Sequence, residues 1–179
     1  MNAPTPEPLV SLSLRVNGDD VQVAVRASQT LLEVLRYELE LIGTKQGCDK
    51  GDCGACTLLI DGEPALACLT LALSCRGKSI DTVESLESKD PLLDAFDRHG
   101  AGQCGFCTPG MLMTAKGLLK KHPCPGKEKI REAISGNLCR CTGYGPIVEA
   151  ISDVGHGKVA TDTAEKLPPP LPSYGAPKP

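Results

Sequence analysis

The sequence predicts an α+β chain, with a sheet-and-helix unit at the N-terminal end followed by a unit of four helices. Three observations carry that expectation. Apolar residues alternate in short runs between Leu9 and Val83, the period of half-buried strands. From Asp90 onward the alternation stops, and apolar residues recur at helical spacing between Pro and Gly breaks. The cysteines fall into two groups of four, one in each part, with Cys75 and Cys124 left over. The expected divisions are a disordered lead-in over 1–8, the first unit over 9–87, the helical unit over 88–154 and a Pro-rich tail over 155–179.

In the first unit, Leu12, Leu14 and Val16 share one face of a strand, with Val10 off phase. Asn17-Gly18 is a two-residue hairpin turn, and Val21, Val23 and Val25 alternate after it. Thr30 and Glu33 form a capping box that opens a helix with Leu31, Leu35 and Leu39 on one stripe, expected to end near Gly43. A hairpin followed by a helix across its sheet begins a β-grasp arrangement. Thr57 to Ile60 reads as a strand, Asp61-Gly62 as its turn, and the return strand is expected to carry Cys68. Ser79 to Val83 is the last strand. In the second unit, Asp90-Pro91 caps a helix whose apolar face is Leu92, Leu93 and Phe96. Thr108-Pro109 starts a second helix, running to about Lys121; Lys127 to Ile134 forms a third. The fourth follows Gly145-Pro146 and runs to about Val154, with Ile147, Val148 and Ile151 for packing.

Composition narrows the functional classes. Hydrophobic residues make up 41% of the 179, but aromatics only 3% with no Trp, so the cores must be aliphatic. A net charge of −3 gives no footprint for nucleic acid. The apolar runs are too short to span a membrane. The segment MNAPTPEP has neither a basic residue nor an apolar run, so the expected location is the cytoplasm. In that reducing compartment clustered cysteines bind metal more often than they form disulfides.

Cys48, Cys53, Cys56 and Cys68 read C-x4-C-x2-C-x11-C. The first three spacings are those of a plant-type [2Fe–2S] site. Gly47, Gly51 and Gly54 let the loop fold tightly, so that backbone N–H groups can point at sulfur. Structural zinc is the competing reading, but zinc ligands usually come as two short hooks. Cys104, Cys107, Cys139 and Cys141 read C-x2-C-x31-C-x-C, each pair just ahead of a helix start whose partial positive charge favours an anionic thiolate cluster. Zinc competes better here, because the ligands do come as hooks. Cys75 and Cys124 are expected to be inert thiols. His99, His122 and His156 are isolated in sequence, and Arg140, between two cysteines, suits either an anionic cofactor or solvent. No phosphate-binding glycine loop follows a strand, and no residue is assigned a catalytic role.

The segments GTKQGCDKGDCGACT, QCGFCTPGM and GNLCRCTGY, in that order, resemble the signatures of the small iron–sulfur subunit of molybdenum hydroxylases. That family includes xanthine dehydrogenase, aldehyde oxidoreductase, carbon monoxide dehydrogenase and 4-hydroxybenzoyl-CoA reductase. The resemblance covers residues 9 to 154. It implies an N-terminal plant-ferredoxin-like domain of β-grasp type and a C-terminal four-helix domain, each holding one [2Fe–2S] cluster. It assigns Cys48, Cys53, Cys56 and Cys68 to the distal cluster. Cys104, Cys107, Cys139 and Cys141 go to the cluster nearer a molybdenum–pterin cofactor, with Gln103 contacting the pterin. It implies a large molybdenum subunit as partner and commonly a medium FAD subunit, with single electrons relayed between them. A free-standing two-cluster carrier and a zinc-bound interaction module are the alternatives.

Overall fold

The structure, a computed structural model, describes residues 7–158. Most of the lead-in, and the tail from residue 159 on, lie outside the described residues. Strands β1 (Leu9–Val16) and β2 (Asp19–Arg26) form the expected hairpin, paired from Leu9–Arg26 to Val16–Asp19. Asn17 and Gly18 both take positive φ, 53° and 92°, as the tight turn requires. Leu12, Leu14 and Val16 are buried and Val10 is exposed, the phase the alternation predicts. Strands β3 (Thr57–Ile60), β4 (Glu63–Leu66) and β5 (Ser79–Asp81) complete a five-stranded sheet of order β2-β1-β5-β3-β4. Its one parallel pair joins β1 to β5. The Asn17 side chain accepts from Thr82 N at 2.8 Å, tying the first turn to the end of β5.

Helix α1 begins at Leu31 with the predicted capping box: Glu33 N donates to Thr30 Oγ1 at 3.2 Å and Thr30 N to Glu33 Oε2 at 2.7 Å. It is shorter than expected. The α-turn Leu31–Glu33 widens into a π-turn over Val34–Glu38, well before Gly43. Leu39 N bonds Val34 O, Leu41 N bonds Leu35 O, and Glu40 is left-handed at φ 56°, so the winding runs out. Arg36 Nη1 then takes the carbonyls of Ile42 and Thr44 at 2.9 and 2.7 Å, turning the chain into the cysteine loop. A second correction concerns Cys68. It lies beyond β4, in the 3₁₀ turn Ala67–Leu69, because the ladder ends where Ala67 N bonds Cys56 O at 3.2 Å.

The helical part follows the punctuation of the sequence. Helices α2 (Pro91–Arg98), α3 (Thr108–Lys121), α4 (Lys127–Ile134) and α5 (Gly145–Gly155) start at or next to the Pro, Gly and Asp signals. Asp90 Oδ1 caps α2 by accepting from Leu92 N at 3.0 Å. Two aliphatic cores result. One lies between the sheet and α1, around Leu12, Leu31, Leu35, Leu58 and Ile80. The other lies among the helices, around Leu92, Met111, Ile130, Ile147 and Ile151. Helix α3 lies against β3 and joins the two parts. A Cβ at Gly117 would come within 2.5 Å of Pro64 Cγ and 3.2 Å of Leu59 Cδ2, so a glycine there sets how closely helix and sheet approach.

Candidate metal centres

The first loop is built from the end of α1 to the start of β3. Asp49, Gly51 and Gly54 are left-handed at φ 55°, 86° and 69°, which curls the chain so that its amides turn inward. Cys53 N lies 3.4 Å from Cys48 Sγ. The N–H of Lys50, then that of Cys53, hold the Cys48 thiol down to about 7. Cys56 is buried beside Cys68, and burial pushes its thiol up to about 12. The four sulfurs therefore come as two neighbouring pairs, Cys48 with Cys53 and Cys56 with Cys68. A Cβ on Gly47 would sit 2.8 Å from Cys53 Sγ and 3.3 Å from Phe106 Cε1, so only a bare backbone fits between them.

The second set repeats the pairing. Cys104 adjoins Cys141, and Cys107 adjoins Cys139. Burial raises Cys107 to about 12. Burial also pushes Cys139 upward, but the Thr142 hydroxyl and backbone N–H groups outweigh it and bring the thiol to about 7; Thr142 Oγ1 lies 3.1 Å from Cys139 Sγ. Tyr144, left-handed at φ 67°, accepts the Cys139 N–H on its hydroxyl at 3.0 Å. Cys104 and Cys141 are exposed, as are Gln103 and Arg140.

These two sets meet. Leu138 N donates to Cys53 O at 2.8 Å, so the residue before Cys139 is bonded directly to a cysteine of the first loop. Asn137 Nδ2 donates to Gly54 O at 2.9 Å and Thr57 Oγ1 at 3.2 Å, and its Oδ1 accepts from Thr114 Oγ1 at 2.9 Å. Sequence reading missed Thr114, Asn137, Thr142 and Tyr144. Asn137, Thr142 and Tyr144 sit within or beside a signature segment. For Thr114 the available signal is its place between Gly110 and Gly117, three small residues on one face of α3.

The remaining cysteines and two of the three histidines are accounted for locally. Cys75 is fully buried in the first core, and Cys124 donates to Gly155 O at 2.9 Å. His99, isolated in sequence, meets Asp153 of α5 at 2.9 Å, and His156 bonds Ser152 O at 2.7 Å.

Among the described residues no three His, Cys, Asp or Glu side chains are placed to hold one metal ion. Two sulfur pairs side by side match a two-iron cluster, in which each iron takes two thiolates. The buried thiols fit the same centre, since a cation beside them offsets the desolvation that keeps them protonated.

A sheet-and-helix unit and a helical unit, each with two thiol pairs, define a two-centre iron–sulfur protein. The comparisons agree on both centres. The family described as "2Fe-2S iron-sulfur cluster binding domain" matches residues 14–76, and that described as "[2Fe-2S] binding domain" matches residues 82–152. The chain is 52% identical over 155 residues to the nicotine 6-hydroxylase small subunit of Paenarthrobacter nicotinovorans, covering 86% of this chain and 94% of that one. It is 39% identical over 170 residues to the aldehyde oxidoreductase of Megalodesulfovibrio gigas, covering 89% of this chain but 19% of that much longer one. Among solved structures, quinoline 2-oxidoreductase from Pseudomonas putida 86 superposes with a TM-score of 0.81 at 46% identity, over 85% of this chain and 96% of that one. The chain belongs to the family of small iron–sulfur subunits of molybdenum hydroxylases. It is the electron-transfer component of a multi-subunit oxidoreductase, carries two [2Fe–2S] clusters and works with larger partner subunits. The ferredoxin-like β-grasp unit and the helical unit are those the resemblance implied, and the zinc-module and free-carrier alternatives fall away.

Proposed function

We propose that Cys48, Cys53, Cys56 and Cys68 hold the outer [2Fe–2S] cluster, and Cys104, Cys107, Cys139 and Cys141 the inner one. The inner set faces a molybdenum–pterin cofactor on a large partner subunit; FAD on a medium subunit is the outer acceptor. The observation that carries the reading is the arrangement of eight thiols as four neighbouring pairs, with the Leu138–Cys53 hydrogen bond between the sets. When bound, such a cluster takes up and releases one electron at a time. The chain's own residues hold the donors in place. Backbone N–H groups stabilise negative charge on Cys48, and Thr142 and Tyr144 fix Cys139 from its sulfur and its amide. Leu138 N and Cys53 O join the two ligand loops through one hydrogen bond and a few covalent bonds, a continuous bonded route from one donor set to the other.

Exposure supports the orientation. Cys104 and Cys141 are exposed, and Cys56 and Cys68 buried, the other four proposed ligands being intermediate; Phe106 and Leu138 are 48% and 56% exposed. Exposed proposed ligands, together with exposed apolar side chains in the same segments, suit a protein partner. Gln103, exposed next to Cys104, is the proposed pterin contact. Substrate choice lies with the large subunit, and no catalytic residue is assigned here. No helix of the described residues is long and apolar enough to cross a membrane, and the proposed location is the cytoplasm. The proposed division is 9–87 and 88–154, with one cluster in each.

Iron and acid-labile sulfide per chain test the assignment: about four of each is expected for two clusters. About two of each, or zinc in place of iron, would refute it. Cys53→Ser tests the order. In the assembled enzyme, substrate should still reduce the inner cluster while transfer to the outer acceptor stops. Loss of inner-cluster reduction in an intact complex would reverse the order. Gln103→Ala should weaken retention of the partner's pterin with both clusters intact; unchanged pterin content and reduction kinetics would remove its role.

A further inference from the structure

Asn137 lies two residues before Cys139, yet its side chain is spent on the other ligand loop. It is 4% exposed. Its Nδ2 donates to Gly54 O, between Cys53 and Cys56, and to Thr57 Oγ1, immediately after Cys56. Its Oδ1 is held by the hydroxyl of Thr114, 5% exposed on α3. We propose that Asn137 is a positioning residue: it sets the separation and mutual orientation of the two cysteine loops, and through them the rate of electron exchange between the two clusters. The inference rests on the relay reading above.

The chemistry of the position admits an amide and little else. Thr57 Oγ1 already donates to Gly54 O at 2.7 Å, so it can only accept from Asn137. Both first-loop contacts therefore need donors, while Thr114 needs an acceptor on the same side chain. A carboxylate would keep the acceptor but turn oxygen lone pairs onto the Gly54 carbonyl. An apolar side chain would orphan the Thr114 hydroxyl in a dry site. The surroundings make the contact stiff. A Cβ at Gly110 would lie 2.5 Å from Gly54 O, 3.1 Å from Asn137 Nδ2 and 3.3 Å from Ala55 Cα. Loop, helix and loop thus meet backbone to backbone, with no long side chain to absorb a shift. Leu138 N, next in sequence, makes the parallel bond to Cys53 O at 2.8 Å. A displacement of the amide therefore moves Cys53 and Cys139 relative to each other.

The test uses the assembled holoenzyme and three variants: Asn137→Asp, Thr114→Val and Thr114→Ser. Iron and sulfide are measured first. Low-temperature EPR of the fully reduced enzyme then reads the dipolar splitting between the two reduced clusters, which varies as the inverse cube of their separation. Rapid-freeze kinetics read the exchange between them. Asn137→Asp and Thr114→Val should keep full iron but show a shifted splitting and slowed exchange; Thr114→Ser, which keeps the hydroxyl, should match the parent. Parent-like splitting and exchange in Asn137→Asp at full iron would overturn the inference. If that chain does not assemble, the same result in Thr114→Val would overturn it. A parent enzyme with fewer than two clusters per chain would defeat the relay reading instead.

Discussion

Replacing Gly54 by Ala asks how tightly the two ligand loops are pressed together. Gly54 is left-handed at φ 69°, and a Cβ there would run into Gly136 O and come within 2.8 Å of Asn137 Cα and 2.9 Å of Asn137 Nδ2. Two costs add. Holding an L-residue in the left-handed region costs about 1–2 kcal/mol. Overpacking against neighbours that cannot yield costs about 1–3 kcal/mol more. The sum, about 2–5 kcal/mol, corresponds to a fall of roughly 4–20 °C in the melting midpoint of a chain this size. Gly77 provides the control, since it is left-handed at φ 74° with nothing within 4 Å of an added Cβ. Gly77→Ala should incur only the backbone term, roughly 2–8 °C. Thermal unfolding followed by circular dichroism, with iron per chain measured on the same samples, reads both. Iron should fall in Gly54→Ala and hold in Gly77→Ala. Equal midpoints and equal iron in the two variants would show that the loops do not meet as closely as described.

Three further outcomes follow from the same contacts. Cys104→Ser should lower iron from about four to about two per chain, whereas Cys75→Ala and Cys124→Ser should leave it unchanged; an iron assay on the purified chains decides. Asp90→Ala removes the α2 cap and the partner of Lys116, and should cost about 1–2 kcal/mol by denaturant midpoint, most of which Asp90→Asn should restore. The His99 side chain, donating to Asp153, holds that carboxyl below its ordinary 3.8. A lowered carboxyl stabilises the fold above the unfolded value, and that stability is lost as pH falls through the folded one. The gap in denaturant midpoint between the parent and Asp153→Asn should therefore be steady near neutrality and close below pH 3.8; a gap that widens in acid would contradict the pairing.

What could be read from the sequence was what short stretches decide for themselves. Asn17-Gly18, Asp61-Gly62, the Thr30–Glu33 box and the Pro-led helix starts each act within a few residues, and each appears where it was expected. The end of α1 was misread because Leu39 continues the apolar stripe, while Arg36 draws the chain away through carbonyls six and eight residues on. Cys68 was misplaced by two residues of strand, since a ladder's end depends on its partner rather than on its own pattern. The parallel contact of β1 with β5 joins residues more than sixty apart, and no local signal announces it. Cysteine spacing suggested the two proposed ligand sets but not how their thiols pair. Asn137 stood inside a quoted motif, yet its partners at 54, 57 and 114 belong to other elements, so only the tertiary structure gives it a role.

Left-handed backbone recurs around both cysteine sets. Such residues fall at Asp49, Gly51 and Gly54 in the first loop and at Gly105, Gly143 and Tyr144 in the second, Tyr144 as the N-cap of α5. Tyr144 is the telling case, because a bulky aromatic at φ 67° carries a cost of about 1–2 kcal/mol that a glycine would avoid. Its hydroxyl takes the Cys139 N–H, its N–H reaches Thr142 Oγ1, and Thr142 Oγ1 in turn touches Cys139 Sγ. A glycine would relax the backbone but remove the hydroxyl that fixes this ligand's amide. A local cost at Tyr144 thus accompanies the hydrogen bonds that hold Cys139, a proposed ligand, in place. The two aliphatic cores on either side supply the rigidity that makes such a concession tolerable.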